Sequence, residues 1–296
     1  MTQQSLPGMP PITTEKVVNV ASVKQRSPFR YPGGKTWLVP QLFRWLQAQQ
    51  SVPALFIEPF AGGAIAGLTV AFERLAEHVL LVELDEQVAA VWHTIINLGE
   101  GPWLAERIRA FRLVHDTVDA LLDGNPATPQ ELAFQTIVKN RVYHGGILAA
   151  GSGKIKHGEN GKGLASRWYP ETLSRRILHI HAIRERLTFV QGDGLRVMRD
   201  HADNPKAVFF IDPPYTASKK RPGSRLYTHW QLDHDHLFAT ATEITGDFLM
   251  TYDNVEEVAH LAQKYGFDSR AIAMKNTHHA RLSELLIGRD LNWLLD

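Results

Sequence analysis

The sequence predicts an α/β fold built around a Rossmann-like sheet, and three apolar runs lead to this class. Residues 54–57 and 79–82 are short apolar runs, each followed by an acidic residue and then by a helical pattern. Residues 207–211 are apolar at five consecutive positions, which is typical of a strand buried on both faces of a parallel sheet. Strands that alternate with helices in this way form a sheet covered by helices.

The composition sets the size and limits the chemistry. The chain has 296 residues, 44% of them hydrophobic, which suffices for one large domain or one domain with an insertion. The formal net charge is only +1, so a basic surface for nucleic acid must be local. There is no cysteine, which excludes disulfides, thiolate zinc sites and a cysteine nucleophile.

Two segments, residues 1–27 and 52–72, bear on where in the cell we expect the protein to be. Residues 1–27 are polar and contain several prolines, so we expect a mobile tail without a signal-peptide pattern. Residues 52–72 carry a single charge, but prolines and glycines interrupt them, so a strand, turn and helix explain them better than a membrane span. We therefore expect a cytoplasmic protein.

The first predicted strand leads into a glycine-rich turn. The segment after residue 57 reads Glu58-Pro59-Phe60-Ala61-Gly62-Gly63, and a helical pattern follows over residues 64–75. A strand, a glycine turn and a helix form the first unit of a Rossmann-like fold, in which the backbone approaches a ligand closely. The second strand ends at Glu83-Leu84-Asp85. An acid at that tip is placed to accept hydrogen bonds from ribose hydroxyls, which makes Glu83 the candidate, while Asp85 could instead cap the helix over residues 86–96.

An earlier glycine pair precedes another helix. The segment is Tyr31-Pro32-Gly33-Gly34-Lys35-Thr36, followed by apolar residues at helical spacing. A nucleotide phosphate loop would need glycine at position 29, where this chain has Phe29, so that interpretation fails. Two alternatives stay open for Lys35: an anion site at the start of the helix, or a solvated side chain.

The central strand is followed by a stiff polar segment, Asp212-Pro213-Pro214-Tyr215. Proline fixes φ and pushes the residue before it towards extended geometry. A carboxylate, the Pro213 carbonyl and an aromatic face at the end of a strand suit a planar ring that carries an amino group. Residues 187–190 form a further predicted strand, and the acid after it, Asp193, suits an adenine amino group.

The segment between the second and third strands is basic. Residues 97–186 predict helices and then a glycine-rich stretch, with ten basic and three acidic residues between positions 139 and 186. Local positive charge with glycines and aromatic rings is typical of nucleic-acid binding. The candidates here and in the basic loop of residues 216–229 are Arg141, His144, Lys154, Lys156, Lys162, Arg167, Lys219, Lys220 and Arg221. The predicted organisation is a catalytic domain of residues 28–96 and 187–296 with a target-recognition insertion of residues 97–186.

One acidic and histidine-rich cluster, Asp233-His234-Asp235-His236, has the residue types of a metal site. Neighbouring residues on a helix point in different directions, and no third ligand lies at a useful spacing. We therefore predict a helix start and no metal. Residues 248–252 and 285–287 predict further strands, and residues 255–264 predict a helix.

Together these segments resemble the Dam-like N6-adenine DNA methyltransferases from about residue 28 to the end. The motifs that carry the resemblance, in order, are Tyr31–Lys35, Glu58–Gly63, the acid at Glu83, Asn140–Gly146, Gly192-Asp193 and Asp212–Tyr215. The resemblance implies S-adenosylmethionine as methyl donor, a seven-stranded methyltransferase sheet and a helical DNA-recognition insertion. It also implies a monomer that flips adenine out of double-stranded DNA.

The resemblance assigns roles by position. Tyr31 and Lys35 would meet the methionine end of the cofactor, and Glu83-Leu84 the ribose. The adenine of the cofactor would lie at Asp193-Gly194, and the target base at the Asp-Pro-Pro-Tyr segment with Pro214 inside it. The remaining cofactor residues would be Glu58, Pro59, Phe60, Ala61, Gly62 and Gly63.

Three positions depart from the family pattern, and rival activities stay open. Ala64 replaces a glycine, which is tolerable if position 64 is already helical; Gly194 replaces a larger residue; and His144 replaces an asparagine. The rivals are methylation of cytosine N4, methylation of RNA adenine, and DNA binding without catalysis.

Overall fold

The computed structural model describes residues 22–31, 33–158, 161–215, 228–229, 231–275 and 281–295. Within them lies a seven-stranded sheet of order β3-β2-β1-β4-β5-β7-β6. The strands are β1 (Leu55–Glu58), β2 (His78–Glu83), β3 (Leu187–Gln191), β4 (Ala207–Ile211), β5 (Asp247–Asp253), β6 (Asp268–Lys275) and β7 (Arg281–Gly288). Strands β1 to β5 pair in parallel, and β7 is antiparallel to both β5 and β6. The predicted α/β class with seven strands is confirmed.

Helices cover both faces of the sheet. They are α1 (Val39–Gln47), α2 (Ile65–Glu73), α3 (Glu86–Trp92), α4 (Gly101–Ala110), α5 (His115–Asp123), α6 (Pro129–Val142), α7 (Pro170–Ala182), α8 (Gly194–Asp200), α9 (His234–Glu243) and α10 (Glu256–Lys264). A π-helical turn, His93–Asn97, continues α3. None of the helices in the described part of the chain has the length and apolar character that a membrane crossing needs.

The five apolar residues of β4 are all buried because both faces of this strand are covered. Val208 and Phe210 belong to the core under α1, α2 and α3, whereas Phe209 and Ile211 belong to the core under α8, α9 and α10. This is the alternation that a central parallel strand requires.

The helices of the predicted insertion share the first of these cores. Ile108 of α4, Phe134 of α6 and Ile177 of α7 are fully buried and belong to the same cluster as Phe56 of β1. The segment therefore shares one hydrophobic core with the sheet. Its role as a recognition unit stays a prediction.

Three elements, β6, α7 and α8, were not predicted from the sequence. Strand β6 is not a continuous apolar run, because Asp268 and Arg270 lie within it. The predicted helix start at residue 233 is confirmed, since Asp233 caps α9 by accepting a hydrogen bond from the backbone N–H of His236 at 3.0 Å. Among the described residues, no group of three or more potential ligands is placed to hold a metal ion.

Candidate active site

A cavity of about 500 Å³ lies where the carboxyl ends of β1, β2, β3 and β4 meet. Chain order reverses here, because β1 is followed by β2 on one side and paired with β4 on the other, and such switch points bind ligands in open α/β sheets. The volume falls in the range of about 300–1,000 Å³ that is usual for small-molecule sites. The cavity brings together every residue that was predicted to contact a cofactor, namely Tyr31, Lys35, Glu58, Pro59, Phe60, Ala61, Gly62, Gly63, Glu83, Leu84, Asp193, Gly194 and Asp212.

The carboxylate of Asp212 is held by three donors that all reach the same oxygen. Its Oδ1 atom lies 2.9 Å from Nζ of Lys35, 2.7 Å from Oγ1 of Thr251 and 3.1 Å from the hydroxyl of Tyr215. Oδ2 receives none of these three donors. The orientation of the carboxylate is thus set from one side, and its second oxygen is left for other partners at the cavity wall.

Tyr215 is engaged by neighbouring protein groups through its ring and its hydroxyl. The ring stacks on Tyr252 with centroids 5.6 Å apart and planes 19° apart, and Nζ of Lys35 lies 4.7 Å from the ring centroid. Burial raises the pKa of Tyr215 well above its usual value, and the nearby Asp212 and Glu284 raise it further. Tyr215 is therefore a neutral hydrogen-bond donor in the folded protein. The predicted stacking of this ring on a target base stays a prediction.

Glu284 belongs to the same cluster and was missed by the sequence analysis. Its Oε2 atom accepts a hydrogen bond from the Tyr215 hydroxyl at 2.9 Å and lies 3.5 Å from Nζ of Lys35. Burial raises the pKa of Glu284, and Lys35 opposes this shift. Glu284 lies early in β7, and because β7 is antiparallel, its beginning reaches the edge where the parallel strands end. The sequence feature that could have identified Glu284 is its position directly before the apolar run of residues 285–287.

Glu83 joins the turn after β1 to the tip of β2. Its Oε2 atom accepts from the backbone N–H of Gly62 at 2.8 Å, and its Oε1 atom accepts from Leu84 at 2.8 Å and from Asp85 at 2.9 Å. Burial raises the pKa of Glu83 to about 7, although these backbone donors lower it. Asp85 caps α3, with Oδ1 accepting from the backbone N–H of Gln87 at 2.9 Å. That alternative from the sequence is confirmed, and the ribose role of Glu83 stays a prediction.

Glu58 ties the end of β1 to helix α2. Its Oε2 atom accepts from the backbone N–H of Gly67 at 2.8 Å. A Cβ at Gly67 would lie 2.7 Å from that oxygen and 2.5 Å from Leu81, so only glycine allows this approach. Burial raises the pKa of Glu58 well above its usual value. The hydrogen bond from Gly67 lowers this pKa, and the nearby Asp212 and Glu83 raise it further.

The structure shows the local geometry at two of the positions that depart from the family pattern, Ala64 and Gly194. Ala64 is not helical: its φ of 51° and ψ of 34° place it in the left-handed region, one residue before α2. The expectation that a helical backbone makes alanine tolerable at this position is therefore wrong. At Gly194 a Cβ would lie 2.3 Å from the Pro59 carbonyl oxygen, so the turns after β1 and β3 can meet only because this residue has no side chain. Asp193 itself caps α8 by accepting from the backbone N–H of Leu195 at 2.9 Å.

The predicted nucleic-acid residues differ in exposure. His144, Lys156 and Lys162 are exposed, and Arg167 is partly exposed. Lys154 pairs with Asp119. The remaining candidates, Lys219, Lys220 and Arg221, lie outside the described residues.

Arg141 does not fit the surface contact predicted for it. It is 5% exposed and donates a hydrogen bond to the Pro28 carbonyl. Burial lowers its pKa to about 9, and Arg176, Arg30 and Arg167 lower it further. Arg141 is thus the buried member of a group of neighbouring arginines. Arg30 and Arg176 of this group line the cavity, and neither was predicted.

Two solved structures are similar to this chain at low identity. The rRNA methyltransferase aviRa from Streptomyces viridochromogenes is 12% identical, with 92% of this chain and 93% of that chain covered and a TM-score of 0.42. The precorrin-6y C5,15-methyltransferase from Geobacter metallireducens GS-15 is 10% identical, with 88% and 91% covered and a TM-score of 0.37. No curated protein matches this chain.

The family model of the D12 class N6 adenine-specific DNA methyltransferases matches residues 31–276. That match runs from the Tyr31 segment beyond β6 and includes the whole cavity edge of β1 to β5. The enzyme is therefore a methyltransferase, and the chain belongs to the D12 class N6 adenine-specific DNA methyltransferase family.

Proposed function

We propose that this protein transfers the methyl group of S-adenosylmethionine to N6 of adenine within a specific sequence of double-stranded DNA. The observation that carries the proposal is the Asp212 carboxylate, which is fixed through Oδ1 by three donors at the wall of the cavity that the cofactor motifs line. We further propose that the protein acts as a monomer in the cytoplasm.

The residues around the cavity fit the cofactor. Glycines allow close backbone approach: a Cβ at Gly62 would lie 2.5 Å from the Tyr31 ring. Glu83 lies at the tip of β2, where it would accept hydrogen bonds from the ribose hydroxyls, and Asp193 with Gly194 lies at the neighbouring turn for the adenine. When bound, the cofactor supplies a methyl group on a positively charged sulfur. Tyr31 and Lys35 are proposed to face its methionine end.

The target amine would be held by Asp212 and the Pro213 carbonyl. A stacked base cannot reach the cavity, so the adenine must be flipped out of the duplex, which costs a few kcal/mol. Its N6 lone pair is delocalised into the ring and is a poor nucleophile. Hydrogen bonds from N6–H to Oδ2 of Asp212 and to the Pro213 carbonyl would favour the developing positive charge on nitrogen, and this stabilises the transition state more than the substrate.

The arginine group next to the cavity supports a nucleic-acid substrate. Burial is the main cause that lowers the pKa values of Arg30 and Arg141. The neighbouring positive charges lower them further, from Arg167 on both residues and from Arg30 and Arg176 on Arg141. A DNA phosphate would relieve this repulsion, and guanidinium groups bind phosphate well. We propose that the phosphates beside the flipped nucleotide lie against Arg30, Arg167 and Arg176, the partly exposed members of this group.

The test is sequencing of unmethylated plasmid DNA after incubation with S-adenosylmethionine and the wild type, Asp212→Asn or Asp203→Asn. Asp203 is an exposed aspartate that does not line the cavity and serves as the matched control. We expect N6-methyladenine at one recurring motif with the wild type and Asp203→Asn. Asp212→Asn should lose modification while it retains DNA binding, because it removes the carboxylate that accepts from N6–H and pairs with Lys35 but leaves the proposed phosphate contacts in place.

Other outcomes would replace the proposal. N4-methylcytosine would retain the mechanism and change the target base. Modification of RNA instead of DNA would change the substrate. Near-normal turnover by Asp212→Asn would refute the role of the carboxylate, and cofactor binding without any modification would favour a DNA-binding protein without catalysis.

A further inference from the structure

The Tyr215 hydroxyl lies between two carboxyl groups. Its oxygen is 3.1 Å from Oδ1 of Asp212 and 2.9 Å from Oε2 of Glu284. A phenolic hydroxyl carries one proton, so it donates to one of the two at a time. If both carboxyl groups were ionised, they would compete for this proton. If Glu284 were protonated, its own O–H would donate to the Tyr215 oxygen and Tyr215 would donate to Asp212.

The charges around Glu284 decide between these cases. Lys35 is a buried ammonium group, 2.9 Å from Asp212 and 3.5 Å from Glu284. One cation therefore faces two carboxyl groups. The side chains of Glu284 and Asp212 are only 12% and 21% exposed, so water screens little of the repulsion between them.

We propose that Glu284 is a positioning residue that holds a proton at neutral pH and, through Tyr215, keeps Oδ1 of Asp212 occupied. The chain of donors then runs from Glu284 to Tyr215 to Asp212, and Oδ2 is the oxygen presented to the substrate amine. The burial that raises the pKa of Glu284 agrees with this assignment. The effect on catalysis rests on the proposed function, whereas the protonation of Glu284 does not.

The first test needs neither cofactor nor DNA. Infrared difference spectra between the wild type and Glu284→Gln should contain the C=O stretch of a protonated carboxylic acid at neutral pH, and this band should disappear as the pH rises. Glu256→Gln, which removes an exposed glutamate of α10, is the matched control and should leave the band in place. A wild type without a band attributable to Glu284 would overturn the proposal even if the enzyme methylates DNA.

The second test is the pH profile of kcat on the substrate that the wild type modifies. We expect wild-type kcat to fall on the alkaline side as Glu284 ionises. Glu284→Gln imitates the protonated acid, so it should stay within about threefold of wild type at neutral pH and lose the alkaline fall. Glu284→Ala should lose up to about tenfold, the upper range for the loss of one hydrogen bond between neutral groups. An unchanged pH profile in folded Glu284→Gln would overturn the proposal.

A third variant covers the case in which Glu284→Gln does not fold. Tyr215→Phe removes only the hydroxyl that joins the two acids. We expect the Glu284 band to move to higher frequency in this variant, because the protonated acid loses its hydrogen-bond partner. A spectrum identical to that of the wild type would show that Glu284 does not donate to Tyr215 and would overturn the proposal.

Discussion

Ala64 offers a test of the backbone at the centre of the cofactor turn. Its backbone lies in the left-handed region, where a residue with a Cβ costs about 1–2 kcal/mol. The conformation is held on both sides, because the Ala64 N–H donates to the Ala61 carbonyl at 2.6 Å and the Leu68 N–H donates to the Ala64 carbonyl at 2.9 Å. Ala64→Gly should therefore relieve strain at this one position.

The expected magnitude comes from three terms. Glycine removes about 1–2 kcal/mol of strain. It loses a buried methyl group worth about 0.8 kcal/mol, since Ala64 is 1% exposed. It also gives the unfolded chain more freedom, which costs about 0.4–1 kcal/mol. These terms nearly cancel, so Ala64→Gly should change the free energy of unfolding by less than about 1 kcal/mol.

Ala66 is the matched control, because it is 2% exposed and lies inside helix α2 with ordinary helical geometry. Ala66→Gly loses the same methyl group and pays a helix penalty of about 0.5–1 kcal/mol with no strain to relieve. We therefore expect it to be less stable than Ala64→Gly by about 1–2 kcal/mol in urea denaturation. Equal destabilisation by the two variants would show that Ala64 is not left-handed in solution.

Three further predictions concern other residues of the site. Gly194→Ala should lower stability by about 1–3 kcal/mol and weaken S-adenosylmethionine binding in calorimetry, because the new Cβ would meet the Pro59 carbonyl at 2.3 Å. Because the pKa of Glu58 is raised in the folded state, the wild type should lose stability as the pH rises above the ordinary value of 4.5. Glu58→Gln should lose less stability over the same pH range, with the remaining loss due to Glu83 and Glu284; parallel pH profiles of unfolding would refute this. Arg141→Met should lower stability in urea, whereas exposed Lys156→Met should leave stability unchanged and reduce the salt dependence of DNA binding by about 1 in log–log slope. The reverse pattern would place the buried arginine, and not the lysine, on the phosphate backbone.

The parallel part of the fold was predictable because its signals are local. Each parallel strand that lines the cavity is a short, mostly apolar run with a turn and an acid after it. Strands β1, β2 and β4 are buried on both faces, whereas the edge strand β3 is exposed at alternate positions. Strand β6 begins with three polar residues, and two of the four residues in its apolar run Ala271–Met274 are alanine, which strands disfavour. Its place in the sheet comes from pairing with β7, a tertiary contact that the sequence of β6 does not report.

The site was predictable as a list of residues but not as a network. For Lys35 the sequence left an anion site and a solvated side chain open, and the structure buries it and pairs it with Asp212 and Glu284, which lie far apart in the chain. Arg141 carries the same charge as the exposed lysines of its segment, yet it is buried beneath the Pro28 carbonyl. Charge patterns cannot separate a buried cation from a surface one, because the difference lies in which backbone atoms pack over it. Position 64 was misread for a similar reason, since alanine shows no sign of a left-handed backbone in the sequence.

The electrostatics of the cavity edge follow from where the strands end. Glu58, Glu83, Asp193, Asp212 and Glu284 all lie along one edge of the sheet, because four parallel strands end there and the antiparallel β7 begins there. Backbone N–H groups hold the first three, and Lys35 is shared by the last two. Burial raises the pKa values of Glu58, Glu83 and Glu284, and Arg30 and Arg176 line the same cavity. The sign of the field at this edge therefore depends on how many of these acids are protonated, and not on their number alone.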